Sequence, residues 1–385
     1  MTGQNYAVAG DEGSQPPQMV RVWDGPTRLF HWLLVVSVAV AMLTGFLAPE
    51  WWMGTHLFAG YAIVLLLAFR LIWGVFGSEY ARLINLARST RYLGAYVRGL
   101  ALLRPPHYVG HNPVGALMIF AFFGVFLGLV ATGLMVQAGE EKQGPLAGIV
   151  GYAVGHAGKE VHEFLAFAAL AMIAIHIAGV LVESWLQNVN LTRGMIDGRM
   201  PLPRGFRVPT PRAARPLAAG AVMLLITSLS SATLYGLSRM PPLGIPIMPE
   251  NATYRSECGA CHWSFHPSLL PKTSWEQLLA ELDEHFGEDA SLPADKKDEI
   301  ARYLSAYSAE SWDTEAANRF RLVSASDPMQ ITKTSYWVAK HRQIDTKIFQ
   351  SAAVKSSSNC TACHKDADTG RFDDQKIEMP KVSRP

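Results

Sequence analysis

Cysteine is scarce, with four residues in 385, and all four fall in two CxxC pairs near the C-terminal end. Lysine is nearly missing from the first 237 residues, where only Lys142 and Lys159 occur. Alternating apolar–polar runs of the kind that make half-buried strands are few, which argues against a β-rich fold. The formal net charge is only +2, so no broad basic surface for nucleic acid is implied. A cleavable leader is not evident either. The 28 residues before Leu29 are mostly polar and no small-residue cleavage site follows the first apolar run, so that run itself is expected to start translocation. No general acid–base pair or activated nucleophile is called for.

What is abundant is apolar sequence: 49% of the chain is hydrophobic, concentrated before residue 238. Five runs, Leu29–Leu47, Thr55–Phe76, Pro113–Val136, Glu160–Trp185 and Pro216–Leu237, approach the ~20 residues a helix needs to cross a bilayer. Arg70 is the only charged residue well inside a run. It lies near one end, from which a long side chain can snorkel to the interface. Trp23, Trp32, Trp51, Trp52, Trp73 and Trp185 cluster at run ends, as interfacial aromatics do.

Five crossings put all fourteen arginines that precede residue 238 on one side: Arg21 and Arg28, then Arg70, Arg82, Arg88, Arg91, Arg98 and Arg104, then Arg193, Arg199, Arg204, Arg207, Arg212 and Arg215. The other side receives the two lysines. Positive residues stay cytoplasmic, so the N-terminus is expected inside and the C-terminal region outside. The implied organisation is a cytoplasmic segment (1–28), a four-span domain (29–186), a loop and fifth span (187–239) and an outer soluble domain (240–385). Residues 1–20 read as disordered. The stretch RLINLARSTRYLGAYVRGLALL reads as amphipathic and surface-lying, with a plain solvated connector as the alternative. Residues 187–215 read as an irregular tether, and MPPLGIPIMPE as a stiff linker. The outer domain offers two helices, Ser274–Phe286, with Ser274 as its cap and Gln277 three residues on, and Ala294–Ser308.

Each CxxC pair is followed directly by His: Cys258, Cys261 and His262 in ECGACH, and Cys360, Cys363 and His364 in NCTACH. Two thiols one turn apart can bond the two vinyl groups of one porphyrin, and the next residue, His, can reach its iron. The motif reads as c-type haem attachment, whereas a zinc or redox CxxC would not require a trailing His twice. The sixth iron ligand decides between an electron carrier and a ligand-binding site. The spare histidines are His266, His285 and His341. His266 lies four residues from His262 and cannot easily reach the opposite face. His285, at the end of the first helix, is therefore assigned to the first haem and His341 to the second, with crossed ligation as the alternative. Met329 and Met379 read as core filler.

Four histidines occupy run positions, where ionisable groups are costly and usually functional. His162 and His176 are fourteen residues apart, within ~40° of one helix face and ~21 Å apart along it. His31 begins the first run and His56 the second, at opposite depths. Depth therefore pairs His31 with His176 and His56 with His162, as imidazoles gripping two haem irons. Helix–helix hydrogen bonding is the bland alternative. Gly45 and Gly60 would make room for a flat ring. His156, ~200° from His176 and among glycines, reads as a loop residue. His107 and His111 precede the third run. His111 and Arg70 are candidates for a haem b or quinone environment.

VWDGPTRLFHW, FRLIWGVFGSEYAR and GHNPVGALM resemble the bacterial cytochrome b561 family, which includes the cytochrome b subunits of nickel–iron hydrogenases. That resemblance spans about residues 20–200 and implies a four-helix di-haem b core, with ligands matching His31, His56, His162 and His176. NATYRSECGACHW, LLPKTSW, HFGEDASL and the late CTACH resemble the dihaem cytochrome c family over about residues 248–380. That family implies bis-His haems, in agreement with His285 and His341. The fifth span and the fusion itself depart from a simple b561 protein.

The expectation is an all-α membrane protein: a four-helix di-haem transmembrane bundle, a fifth transmembrane helix and a mostly helical dihaem c-type domain. Two haem b and two haem c would carry electrons between a membrane quinone pool, or a partner redox subunit, and a periplasmic carrier. The rival readings are a stand-alone haem oxidoreductase, superoxide-oxidising or metal-reducing, and an anchoring subunit of a larger complex.

Overall fold

The computed structural model describes residues 18–103, 105–106, 108–202, 212–322 and 329–381. His107, Arg104, Arg204 and Arg207 lie outside the described residues. Contacts group the chain into two compact units. One comprises residues up to 47, 55–131 and 161–233; the other comprises 48–54, 132–160 and 234 onward.

Within the first unit the chain opens on a short strand, β1 (Gln18–Arg21), where sequence suggested disorder up to residue 20. Helix α1 (Gly25–Phe46) follows and starts where it does for a clear reason. The Asp24 carboxylate accepts from the Thr27 amide at 2.8 Å, and Pro26 presets the first turn. Helix α2 (Met53–Phe76) is the second apolar helix. The amphipathic stretch that comes next folds into α3 (Leu83–Ser89) and α4 (Leu93–Ala101). The third long helix is α5 (Pro113–Gly139), capped by Asn112, whose Oδ1 accepts from the Gly115 amide at 2.7 Å. The fourth, α6 (Tyr152–Leu186), has 35 residues, or ~52 Å of helix, well beyond the hydrocarbon thickness. His156 lies inside α6 and not in a loop, because the helix begins eight residues before the apolar run does.

The segment expected to be an irregular tether is partly regular. Asn190 caps α7 (Leu191–Asp197), and Gly198, at φ +80°, ends it. The chain then returns as β2 (Arg199–Leu202), antiparallel to β1, with Val20 opposite Met200. The Trp32 indole donates to the Met195 carbonyl at 3.0 Å and ties α7 to α1. Helix α8 (Pro216–Ser238) is the fifth long helix. The bundle core is small: Val38, Ile63, Leu67, Phe126 and Ala169. Much apolar surface faces outward instead, as at Phe58, Phe164, Trp185 and Leu217. Five apolar helices of this length with outward-facing side chains make a multi-pass membrane protein.

In the second unit, the ends of α5 and α6 meet where Gly139 lies against Gly155, a contact only two glycines permit. Then come α9 (Ala252–Cys258), α10 (Lys272–Ala280), α11 (Ala294–Tyr307), α12 (Glu315–Phe320), α13 (Ser335–His341) and α14 (Thr346–Phe349). Their core includes Leu269, Leu270, Trp275, Leu279, Ile300, Leu304 and Phe320. Helix α10 corrects the expected Ser274–Phe286 helix at both ends. Pro271 takes the cap position, the Glu310 carboxylate receives the Lys272 amide at 3.1 Å, and Ser274 is buried inside the first turn. The other end breaks at Glu281. A single 3-10 turn (Leu282–Glu284) follows, and Phe286 and Gly287, both at positive φ, reverse the chain. His285 therefore stands on a turn, not on a helix end.

Candidate functional site

Three of the four expected histidine pairs meet with nearly the same spacing. Ring centroids are 6.2 Å apart for His56 and His162, 6.2 Å for His262 and His285, and 6.1 Å for His341 and His364. Metal–nitrogen bonds of ~2.0 Å would put two imidazoles on opposite sides of one metal roughly 6.3 Å apart, centroid to centroid. The spacing fits a shared iron and is too wide for a direct imidazole–imidazole hydrogen bond. In the fourth pair, His31 lies near enough to His176 for their charges to interact, and His176 stands edge-on to Phe122 at 5.9 Å.

The ring orientations are set from behind. His56 Nδ1 lies 3.0 Å from the Ala41 carbonyl, and His162 Nδ1 lies 3.0 Å from that of Leu129. His341 Nδ1 lies 2.8 Å from the Trp337 carbonyl, one helical turn back, and His262 Nδ1 lies 2.7 Å from that of Trp263. A carbonyl can only accept, so each Nδ1 carries the proton and Nε2 keeps its lone pair for a metal. Burial pushes the His364 imidazole down to about 4, with the neighbouring His341 and Lys340 acting the same way, so it too is neutral at physiological pH.

Small residues lie where a flat group would need room. A side chain at Gly45 would meet His56 at 3.2 Å, and one at Gly60, a turn after His56, would meet nothing within 4 Å. The second c-type pair lies in a cavity of about 450 Å³ that His341, His364, Cys360 and Cys363 help to line, together with Met379. The donor set, the neutral tautomers and the open space all fit haem.

Two readings of single residues change. Arg70 does not snorkel. It is 4% exposed, and its Nη1 is buried without a hydrogen-bond partner. Trp23 and Trp73 are buried against protein. Trp23 meets the His111 ring at 4.5 Å, and Trp73 donates to Asp24 at 3.0 Å. His111 Nδ1 is also buried and unpartnered, and His111 lies within electrostatic reach of Arg70, His31 and His176. Burial first, then the Arg70 charge, drive its imidazole down to about 3. His266 packs edge-on to Trp312 at 4.6 Å, with Nδ1 2.8 Å from the Ser268 hydroxyl; it is part of the core.

Sequence reasoning passed over the polar loop between α5 and α6. Lys142 is fully buried and donates to Asp313 at 2.6 Å, and the same carboxylate caps α6 through the Tyr152 amide at 2.8 Å. Glu140 is buried, 2.7 Å from His156 and 3.4 Å from Lys159. Glu141 accepts from the Asp374 amide at 3.0 Å. A signal existed: GEEK packs three charges directly against an apolar run. Another missed group is Tyr96, whose hydroxyl donates to the buried Glu183 and accepts from Asn112 at 2.8 Å.

Paired imidazoles in an apolar bundle, joined to a domain with two CxxCH segments and a second imidazole for each, define a membrane cytochrome built for electron transfer. Residues 22–198 match the prokaryotic cytochrome b561 family model and residues 254–372 match that of the dihaem cytochrome c family. The first family binds haem b and the second haem c. Among relatives, a probable Ni/Fe-hydrogenase B-type cytochrome subunit of Azotobacter chroococcum is 27% identical over 221 residues, covering 49% of this chain and 91% of that protein. The corresponding Azotobacter vinelandii protein is 32% identical over 139 residues, covering 30% of this chain and 58% of that one. Of solved structures, the diheme cytochrome c of Shewanella baltica OS155 is 31% identical and covers 34% of this chain and 95% of its own, at a TM-score of 0.28. That of Rhodobacter sphaeroides is 36% identical and covers 33% and 100%, at a TM-score of 0.29.

Proposed function

We propose that the chain moves electrons across a bacterial inner membrane through two haem b and two haem c. One end would serve the quinone pool or a partner redox subunit, the other a periplasmic electron carrier. The observation that carries this reading is the common 6.1–6.2 Å spacing of three histidine pairs, two of which include a CxxCH histidine. His31 with His176 and His56 with His162 would hold the b-type irons. His262 with His285 and His341 with His364 would hold the c-type irons, with Cys258, Cys261, Cys360 and Cys363 as the covalent attachments. Bound haem supplies reversible one-electron chemistry at iron.

The residues around each pair do the rest. Carbonyls behind His56, His162, His262 and His341 fix the tautomer and the ring plane, which limits rearrangement between oxidation states. The arginine bias supports a cytoplasmic N-terminus and a periplasmic C-terminal domain. Arg70 and His111 each have a buried unpartnered nitrogen and lie within electrostatic reach of one another, His111 also of His31 and His176; they suit a quinone head group or a haem propionate. At the other end, five acidic residues and no basic one occur from Glu281 to Asp289 around His285, all five exposed, which suits a carrier with a basic face. The hydrogenase-subunit relatives favour a second form of the same reading, in which a partner redox subunit replaces quinol as donor or acceptor. Quinol added to the purified four-haem protein distinguishes the two. Direct quinol oxidation predicts reduction of b- and c-type bands without any partner. Centres that stay oxidised despite adequate potentials would leave the partner-subunit form.

A further inference from the structure

The two c-type sites differ in what surrounds them. The cavity beside His341 and His364 is walled in part by residues from outside the C-terminal domain: Pro49, Glu50 and Trp51 from the connector before α2, and Lys159 from α6. Lys340, next to His341 in sequence, pairs with Glu50 at 3.0 Å and Glu315 at 3.7 Å. The connector turn Glu50–Trp52 packs on the turn Asp374–Lys376 that follows CTACH. Further bonds reach the same segment: Gln375 donates to Gln143 at 3.1 Å, Arg371 to the Lys142 carbonyl, and the Asp374 amide to Glu141. By contrast, Cys261 and His262 are exposed, and Phe286, beside His285, is 57% exposed.

Resting on the four-haem reading, we propose that the His341/His364 site is the c-type centre adjoining the membrane-spanning helices, with Glu50, Trp51 and Lys159 completing its wall, and that the His262/His285 site faces outward. The spatial order then reverses the sequence order: the late CTACH is inner and the early ECGACH is outer. Trp51 precedes His56 by five residues. Lys159 precedes His162 by three on the same helix, ~4.5 Å along its axis. The wall of the inner c-type site is thus built on the segments that carry the second b-type pair. Any exchange between the inner c-type centre and a b-type centre would move one electron from the centre being oxidised to the centre being reduced, and would form or break no bond.

The test is a haem-resolved spectroelectrochemical titration of the full-length, haem-loaded protein. Two marker variants, His341→Met and His285→Met, identify the c-type centres by the potential each displaces. Glu50→Gln removes a negative charge from the wall, which disfavours the oxidised iron. It is expected to raise the midpoint of the centre marked by His341→Met and leave that marked by His285→Met unchanged. Trp51→Ala, which alters the same wall without changing charge, is expected to move the same centre and so covers a Glu50 variant that fails to assemble. A shift on the centre marked by His285→Met, or no shift in either variant, overturns the proposal. A wild-type protein with fewer than four haems would instead overturn the reading on which it rests.

Discussion

At the residue scale, the histidines carry the account. His176 is the sharpest case, because in the proposed reading a single helix would supply it and His162 to two different pairs. His176→Ala is expected to remove one extractable haem and leave both covalent ones, measured by pyridine haemochrome spectra per polypeptide. Retention of both extractable haems would refute the assignment. Gly60 makes a complementary prediction. A Cβ there would meet no protein atom within 4 Å, so the fold should tolerate a larger residue, yet its side chain would take up space beside His56. Gly60→Leu should lower haem b content with little change in expression or in covalent haem. The buried Glu141 and Asp374 give a pH dependence. Burial raises both carboxyls; repulsion from Asp374 adds to the rise at Glu141, and repulsion from Glu50 and Glu315 adds to that at Asp374, against the opposing charges of Lys340 and Lys159. For an acid whose folded pKa is raised, stability is greatest below its unfolded pKa and is lost as pH rises through the folded one. The C-terminal domain should therefore lose stability as pH climbs from the ordinary carboxylate range toward neutrality. Asp374→Asn should flatten that slope in thermal melts at stepped pH; an unchanged slope would show that the pair is not its source.

At the element scale, the sequence was legible where one physical demand dominated. Bilayer thickness sets the length of apolar runs, and all five runs correspond to helices. Their ends were less legible. Helix α6 begins at Tyr152, eight residues before Glu160, because its first turns pack on protein and not lipid, so hydropathy does not mark them. The turn that presents His285 was read as helix because Leu278, Leu279 and Leu282 keep helical spacing, while the break comes from Phe286 and Gly287. The approach of His56 to His162 was legible because the fourteen residues from His162 to His176 on one helix fix both face and depth. The burial of Arg70 and Trp73 was not, because it depends on Asp24, about fifty residues away, which gathers Trp73 and Ser78 by hydrogen bonds. The crossing of α5 and α6 yields a direct prediction. A Cβ on Gly139 would lie 2.5 Å from the Gly155 backbone, which cannot rotate away. Gly139→Ala should therefore cost about 1–3 kcal/mol, as overpacking does, and lower the melting temperature in detergent. A melting curve equal to wild type would contradict the close contact.

At the scale of the whole molecule, two families with separate haem chemistries share one chain, and polar segments at the ends of the apolar helices cluster with the C-terminal domain. Buried ionic contacts such as Lys142 with Asp313 are costly to desolvate and stabilise little in net terms. Their presence is better understood as fixing one arrangement of the segments around the c-type sites. The account stands on eight imidazoles holding four irons, and haem stoichiometry tests that most directly. Acid–acetone extraction of purified full-length protein, with haem quantified in both fractions, should release two haems per polypeptide and leave two covalently attached. Fewer than two in either fraction would contradict it.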